Sequence, residues 1–148
     1  MKVRIELDPQ MDEPEMIIRA PRLTEEVARL QQLILEQKMT PLTFYKDRSE
    51  YFLDLADILF FETDGEKIYG HTKDEAYEVE QKLYELEELL PIAFCRISKS
   101  TIVNAKQIYS LEKSFSGTST VNFYQTHKQV HVSRRYYQVL KERLNEMR

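Results

Sequence analysis

The order of apolar and polar residues predicts many short β-strands and a few helices. Val3-Arg4-Ile5-Glu6-Leu7 alternates apolar and polar positions, as a half-buried strand does, and Met16–Ile18 is a second short strand candidate. Thr24 then precedes two acidic residues and an apolar stripe with helical spacing, which predicts a capped helix. The stripe consists of Leu23, Val27, Leu30 and Ile34. Residues 1–39 are therefore predicted to form a small ββα unit that packs on the rest of the chain or on a second copy.

A boundary is predicted at Thr40-Pro41, and residues 40–148 have the pattern of a β-dominated domain, because short strand-like segments recur with turn-like pieces between them. These segments are Leu42–Tyr45, Tyr51–Leu55, Ile58–Phe61, Ile68–His71, Ala93–Ile97, Thr101–Val103, Ile108–Leu111, Val121–Tyr124 and Gln129–Val132. Ser116–Ser119 is the clearest loop between them. The predicted fold class is mainly β with short α-helices.

Two helices are predicted within this domain. Val79, Leu83, Leu86 and Leu90 have helical spacing, and Pro91 ends that helix. The preceding Thr72–Glu75 fits a helix capping box and a hairpin tip equally well. Ser133 is predicted to cap a last helix. Its inner face would consist of Tyr136, either Val139 or Leu140, and Leu144.

Charge is distributed unevenly along the chain. The formal net charge is −4, yet residues 39–90 contain fourteen acidic and five basic side chains, while residues 91–148 contain three acidic and ten basic ones. Residues 1–38 are close to balanced, with eight acidic and six basic side chains. Such asymmetry is typical of proteins that bind a polyanion, and it also occurs when solvated faces differ by chance.

Composition excludes several other classes of protein. The longest apolar run, Ile58–Phe61, is too short to span a membrane, and the N-terminus lacks the apolar core of a signal peptide. The single cysteine, Cys95, forms no internal disulfide, which fits a reducing compartment. A cytoplasmic protein is therefore expected. Cys95 is expected to be a buried small residue, although a neighbouring arginine leaves a redox role open.

No catalytic or metal-binding set is evident. His127 and His131 have the spacing of half a zinc signature, but on one extended strand they would lie about 13 Å apart, too far to bind one ion. No spacing supports Ser98 with His71 or His131 as a nucleophile pair, and no glycine-rich phosphate loop is present. We therefore predict no enzymatic activity, no metal and no cofactor.

Two segments have chemistry suited to nucleic acid. Phe94–Asn104 interleaves apolar residues with arginine, lysine and short hydroxyls, which suit phosphate oxygens and base edges, although an ordinary polar loop on a sheet has the same composition. Val130–Arg135 ends in two arginines, in the first turn of the predicted last helix. Arginine is unfavourable there unless an anion binds, because a helix N-terminus is already partly positive. Arginine also forms bidentate contacts with guanine in the major groove.

These segments resemble the LytTR family of DNA-binding domains. The resemblance lies in Phe60-Phe61-Glu62, in Phe94–Asn104, and in Val132-Ser133-Arg134-Arg135 before a short terminal helix, and it covers about residues 42–145. It implies an elongated, mainly β domain that inserts loops into successive major grooves. This chain has Ser98 where the family often has histidine and Thr101 where it often has an aromatic residue, so a contact made by that histidine is in doubt.

The resemblance implies three base-contacting positions. The first is in the loop from Asp64 to Lys67, where Lys67 is chosen. The second is Lys99, and the third is Arg134. The full set of predicted DNA-binding residues is Lys67, Arg96, Ser98, Lys99, Ser100, Ser133, Arg134 and Arg135.

The predicted function is sequence-specific binding of double-stranded DNA to regulate transcription, as a homodimer on repeated half-sites. Only about 40 residues precede the DNA-binding domain, too few for the receiver domain that family members commonly carry. A stand-alone regulator is therefore expected, with dimerisation through the N-terminal unit. Two alternatives remain open: a protein-interaction module that uses the acidic segment 39–90, and an RNA or single-strand binder whose aromatic residues stack on bases.

Overall fold

The fold is built on a seven-stranded antiparallel sheet. The computed structural model describes residues 1–38 and 42–147 of the chain. The strands of this first sheet lie in the order β2-β1-β5-β4-β3-β7-β6. They are β1 (Phe44–Lys46), β2 (Ser49–Tyr51), β3 (Phe60–Asp64), β4 (Lys67–His71), β5 (Ala76–Val79), β6 (Phe94–Ser98) and β7 (Thr101–Asn104).

A second, three-stranded sheet and three helices complete the molecule. The second sheet has the order β10-β9-β8, with β8 (Ile108–Lys113), β9 (Ser119–Phe123) and β10 (Gln129–Val132). The helices are α1 (Glu25–Lys38), α2 (Leu83–Leu89) and α3 (Arg134–Glu146), and short 3-10 helices occur at Leu55–Asp57 and Ala105–Gln107. The predicted mainly β fold with short helices is confirmed. Among the described residues, no helix has the length and apolar content that crossing a membrane would require.

The centre of the first sheet is buried on both faces. Phe61 and Ile102 point into a core against α2, while their chain neighbours Phe60 and Val103 point into a second core. The second core lies between this sheet, the second sheet and α3, where Leu140 is fully buried. Burial on both faces explains why β3 and β7 have consecutive apolar residues instead of an alternating pattern.

The N-terminal prediction is correct for the helix and wrong for the strands. Within residues 1–23 the structure has no strand, so the predicted ββα unit is an irregular segment followed by α1. A strand requires a neighbour for its N–H and C=O groups, and none of the described strands lies beside Val3–Leu7. Helix α1 begins as predicted, since the Thr24 Oγ1 accepts a hydrogen bond from the Val27 N–H at 3.3 Å. The predicted boundary Thr40-Pro41 lies outside the described residues.

The helix predicted after Thr72 is shorter than expected. Val79 belongs to strand β5, and α2 begins only at Leu83. Thr72–Glu75 forms the turn between β4 and β5, where the Thr72 N–H donates to the Glu75 carbonyl at 3.0 Å, so the hairpin alternative is correct. The valine's spacing fits a helix, but pairing of β5 with β4 outweighs this local signal. Helix α2 ends before Pro91 as predicted.

Candidate nucleic-acid interface

The first two predicted DNA-contacting turns lie side by side at one end of the first sheet. The β3–β4 turn consists of Gly65 and Glu66, between paired Asp64 and Lys67. The β6–β7 turn lies at the same end because β3 pairs with β7, with Glu62 opposite Thr101. A hydrogen bond from the Thr63 N–H to the Ser100 carbonyl, at 2.9 Å, joins the two turns.

The N-terminus of α3 joins the same end of the molecule. The Ser133 N–H donates to the Ile97 carbonyl at 2.9 Å, which fixes the start of the helix against the end of β6. A groove between these elements is rich in hydroxyl groups, contributed by Ser98, Ser100, Thr101, Thr118 and Ser133. His131, Gln129 and Glu62 also line it. The three segments that the sequence places far apart therefore form one continuous polar surface.

Lys99 is the most available cation of this surface. It is exposed at the tip of the β6–β7 turn, and its ammonium group has no hydrogen bond or ion pair with any residue that the structure describes. The turn itself is ordered by its serines, since the Ser100 N–H donates to Ser98 Oγ at 3.2 Å. A fixed turn with a free lysine suits contact with a base edge or a phosphate.

Arg96 instead binds the turn from within. Its Nε donates to the Ser98 carbonyl at 2.6 Å, one terminal nitrogen donates to the Lys99 carbonyl, and the other pairs with Glu87 at 2.9 Å. The side chain is mostly buried. These contacts give Arg96 a positioning role for Lys99, and its direct contact with DNA stays a prediction.

The two arginines of α3 differ in their surroundings. The Arg134 guanidinium group donates to the Ser116 carbonyl in the loop between β8 and β9. The Arg135 guanidinium group lies 5.8 Å from the ring centre of Tyr136 and is exposed. Neither arginine forms an ion pair with a described acidic side chain, so both keep their charge available for an anion.

Lys67 has a partner and acidic neighbours. Its Nζ lies 3.0 Å from the Glu78 carboxylate, and this contact raises the pKa of Lys67. Glu66 lies in the β3–β4 turn and Asp64 is the last residue of β3, so the tip of this hairpin carries two acidic side chains beside Lys67. Electrostatic attraction to phosphate is therefore weaker at this tip than at Lys99 or Arg134.

Ser133 occupies the N-cap position of α3 as predicted, but its side chain does not cap the helix. The structure shows no hydrogen bond from its hydroxyl to the first turn, and the Ser133 carbonyl instead accepts from the N–H groups of Tyr136 and Tyr137, each at 3.1 Å. Because the hydroxyl lines the groove, it can donate to a ligand there. The prediction of side-chain capping is wrong, and that of a phosphate contact is still open.

A partly buried polar cluster of Glu62, His71 and Lys128 adjoins this surface. The Lys128 ammonium group donates to His71 Nδ1 at 3.2 Å, and His71 Nε2 lies 2.8 Å from the Glu62 carboxylate. Phe60 stacks on the imidazole with ring centres 4.3 Å apart. Burial, with help from the Lys128 charge, lowers the pKa of His71 to about 4, so the ring is neutral at pH 7. Burial also raises the pKa of Glu62.

Cys95 is buried in the second core, as predicted. Burial raises the pKa of its thiol, with Arg143 acting in the opposite direction. Among the residues that the structure describes, no three histidine, cysteine or acidic side chains are grouped as metal ligands.

The segment between β8 and β9 was predicted only as a loop, whereas in the structure it forms part of this surface. The β8–β9 loop, defined as Ser114–Thr118, lies against Arg134 and contributes Thr118 to the groove. Phe115 at its tip is fully exposed. The sequence signal was a large aromatic residue directly before Ser116-Gly117-Thr118, a context in which a core residue is not expected.

Comparison with known proteins identifies the fold and the family together. The family model described as the LytTr DNA-binding domain matches residues 48–145. The chain belongs to the LytTR family of DNA-binding domains. The resemblance inferred from the three sequence motifs is therefore confirmed. This LytTR domain also superposes on the LytTr DNA-binding domain of a Bacillus cereus protein described as a methyl-accepting/DNA response regulator. The TM-score is 0.66 at 21% identity, over 72% of this chain and 98% of that one.

Curated relatives from Staphylococcus aureus match almost the whole LytTR chain. Proteins of strains MSSA476 and MW2 are each 29% identical over 146 residues, covering 98% of this chain and 99% of theirs. Both are named uncharacterized HTH-type transcriptional regulators. A helix-turn-helix requires two successive helices joined by a short turn. In the described part of this chain, strands separate every pair of consecutive helices.

Proposed function

We propose that this LytTR protein binds double-stranded DNA at specific sequences and regulates transcription. The observation that carries the proposal is the convergence of the β3–β4 turn, the β6–β7 turn and the N-terminus of α3 at one end of the molecule. Hairpin tips and a helix N-terminus are narrow enough to enter a major groove, where each base pair presents a distinct pattern of donors and acceptors. The curated relatives' designation as transcriptional regulators supports the regulatory role.

Each predicted residue has a role in this proposal. Lys99 and Arg134 contact base edges, because both carry accessible donors at projecting positions. Ser98, Ser100, Ser133 and Arg135 contact phosphates from the groove and its rim. Lys67 contributes least, since it is paired with Glu78 and flanked by acidic residues. Arg96 acts indirectly, because its hydrogen bonds hold the β6–β7 turn that presents Lys99.

The single-strand alternative has less support from the aromatic residues. Stacking requires exposed rings in a groove. Phe44, Phe60, Phe61 and Phe123 are buried in the two cores, whereas Phe52, Tyr109, Phe115 and Tyr124 are exposed. These exposed rings do not line the groove, where five of the ten lining residues carry hydroxyl groups and His131 has the one aromatic ring.

The direct test is selection of bound duplexes from a random pool at fixed, moderate salt. An enriched motif is expected. The logarithm of its binding constant should fall linearly with the logarithm of the salt concentration, with a slope of about −0.9 for each phosphate neutralised. A pool without enrichment would overturn the proposal. Binding to protein partners through the acidic segment would instead leave duplex affinity negligible, and preference for a single-stranded competitor would favour the other alternative.

We also propose that the protein binds as a homodimer on repeated half-sites. Val3, Ile5 and Leu7 are 84–91% exposed, and their alternate spacing would place all three on one side of a strand paired with a second chain. Three exposed apolar side chains on one side favour pairing with a second chain. Because the curated relatives span the same length, this segment has a counterpart in them.

A further inference from the structure

The β8–β9 loop contacts the Arg134 side chain through Ser116 and Gly117. The Arg134 guanidinium donates to the Ser116 carbonyl, and Gly117 lies directly beneath it. A Cβ added at Gly117 would lie 2.8 Å from the Arg134 Cζ, closer than real Cβ contacts allow. Gly117 also has φ +90°, a backbone conformation that side chains disfavour. The glycine therefore provides both the turn and the space for the arginine.

The loop is ordered by its own hydroxyl groups. The Ser114 hydroxyl donates to the Thr118 carbonyl at 2.5 Å and lies 2.8 Å from Ser116 Oγ. The Ser114 N–H donates to the same Thr118 carbonyl at 3.1 Å, and the Gly117 N–H donates to the Ser114 carbonyl at 3.3 Å. A loop closed in this way holds its tip residue, Phe115, at a defined place.

Phe115 is the one apolar side chain of this loop. Its ring is fully exposed although an aromatic side chain gains much from burial. Residues 113–122 contain one lysine and no acidic residue, so no carboxylate within the loop opposes the approach of a polyanion. The chemistry of the loop is therefore compatible with DNA. Because the loop lies beside Arg134, it would face the same part of the DNA major groove as that arginine.

We propose that the β8–β9 loop is a fourth DNA-contacting element, resting on the function proposed above. Phe115 packs on the 5-methyl group of a thymine next to the base pair that Arg134 contacts, and Ser116 and Gly117 position the Arg134 guanidinium. The thymine methyl group is the apolar feature that the floor of the major groove offers, and phenylalanine is among the side chains suited to it.

The test uses the full chain and the duplex obtained by selection. Each thymine is replaced in turn by uracil, which removes only the methyl group. For the wild-type protein, affinity should fall about fourfold at one position, as expected for loss of one buried methyl group. Phe115→Ser should bind the thymine and uracil duplexes equally at that position, whereas Phe115→Leu should retain part of the difference. Equal methyl dependence in wild type and Phe115→Ser at every position would overturn the Phe115 contact.

The positioning role is tested with a double-mutant cycle. Gly117→Ala should lower discrimination at the base pair that Arg134→Ala identifies, and adding Gly117→Ala to Arg134→Ala should produce no further loss there. Gly65→Ala introduces an alanine at φ +64° with no neighbour within 4 Å, so its melting temperature measures backbone strain alone. Additive losses in the cycle would overturn the positioning role. Failure of the wild-type protein to enrich any motif would instead overturn the proposed function itself.

Discussion

The Ser133 hydroxyl faces the polar groove and contributes no hydrogen bond to helix α3. Ser133→Ala should therefore change the free energy of unfolding by less than about 0.5 kcal/mol, as for surface substitutions, and should weaken DNA binding. Thr24→Ala is the matched control because the Thr24 hydroxyl does cap α1, and it should cost about 1 kcal/mol of stability. Urea unfolding and duplex titration measure the two quantities. Equal loss of stability in both variants would contradict this assignment.

The Arg134 guanidinium group is oriented by the Ser116 carbonyl. Arg134→Ala should lose about 1–3 kcal/mol of affinity for the selected site and little for random duplex, since a bidentate contact discriminates between bases. Arg29→Ala removes one exposed charge from α1, away from the predicted surface, and serves as the charge control. Titration of both duplexes with each variant measures the effect. A loss at Arg134 that is equal on both duplexes would reduce its role to phosphate attraction.

The free energy of unfolding is expected to depend on pH because of His71. Its folded-state pKa of about 4 lies below its ordinary value of 6.5, so between these values the unfolded chain binds a proton that the folded protein does not. Its contribution to stability is complete above pH 6.5 and is lost as the pH falls towards 4, by about 2–3 kcal/mol. The raised pKa of Glu62 acts in the opposite direction. A pH series of urea unfolding should show the wild type losing more stability than His71→Gln; parallel curves would contradict this.

At the scale of elements, the β6–β7 turn depends on the Arg96 side chain. Arg96→Met keeps the aliphatic part of the side chain but removes the donors to the Ser98 and Lys99 carbonyls and to Glu87. A loss of about 1–3 kcal/mol in the free energy of unfolding is expected, with reduced affinity for the selected duplex. Glu87→Gln removes only the ion pair and should cost less. If Arg96→Met is as stable as the wild type but loses affinity on all duplexes, Arg96 contacts DNA directly.

Most strands could be predicted because their patterns are short, apolar and bounded by turns. Strand β10 has the predicted bounds, and α1 and α3 begin beside Thr24 and Ser133. The errors arise where pairing decides the outcome. Val3–Leu7 has a strand pattern without a strand beside it, and Val79 has helical spacing but pairs with Ile68. A local pattern cannot report the presence or absence of a neighbouring strand.

The site was predictable only as three separate motifs. Their convergence depends on pairing of β3 with β7 and on packing of α3 against β6, where the Ser133 N–H also donates to the Ile97 carbonyl, and no sequence spacing encodes either. The sequence could not predict that Arg96 contacts the β6–β7 turn from within, or that Arg134 packs on Gly117. Arg134 meets Ser116 only through the fold, and Arg96 meets the Ser98 and Lys99 carbonyls only because the β6–β7 turn bends back towards it.

At the scale of the whole molecule, strand order explains how one chain with a net charge of −4 binds DNA. Within the acidic segment 39–90, strands β1 to β5 and their connections form one part of the first sheet and carry most of the acidic side chains. Helix α2 instead packs against β3, β6 and β7, where its Glu87 pairs with Arg96. Strands β6 and β7, at the other edge of the first sheet, come from the basic segment, as do the second sheet and α3. The β3–β4 turn lies where the two parts meet, which accounts for an acidic tip beside the free Lys99.

The N-terminal segment provides the last test, because it concerns assembly of two chains. Replacing Val3, Ile5 and Leu7 together with serine removes the exposed apolar side chains without altering either buried core. The wild-type protein should sediment as a dimer, and the triple variant should sediment as a monomer with an unchanged melting temperature. Binding to a single half-site should be retained, while affinity for two correctly spaced half-sites should fall by about 10²-fold or more, because the gain from linking two binding events is lost.

A control and a contrary outcome make this assignment specific. Substituting Arg4 and Glu6 with serine alters the intervening polar positions of the same segment, where the two side chains form an exposed ion pair at 3.0 Å, so the dimer should persist. Sedimentation of the wild type as a monomer would contradict dimerisation in the absence of DNA. A dimer that survives in the triple variant would place the interface elsewhere, since the apolar side of this segment would then contribute nothing to it.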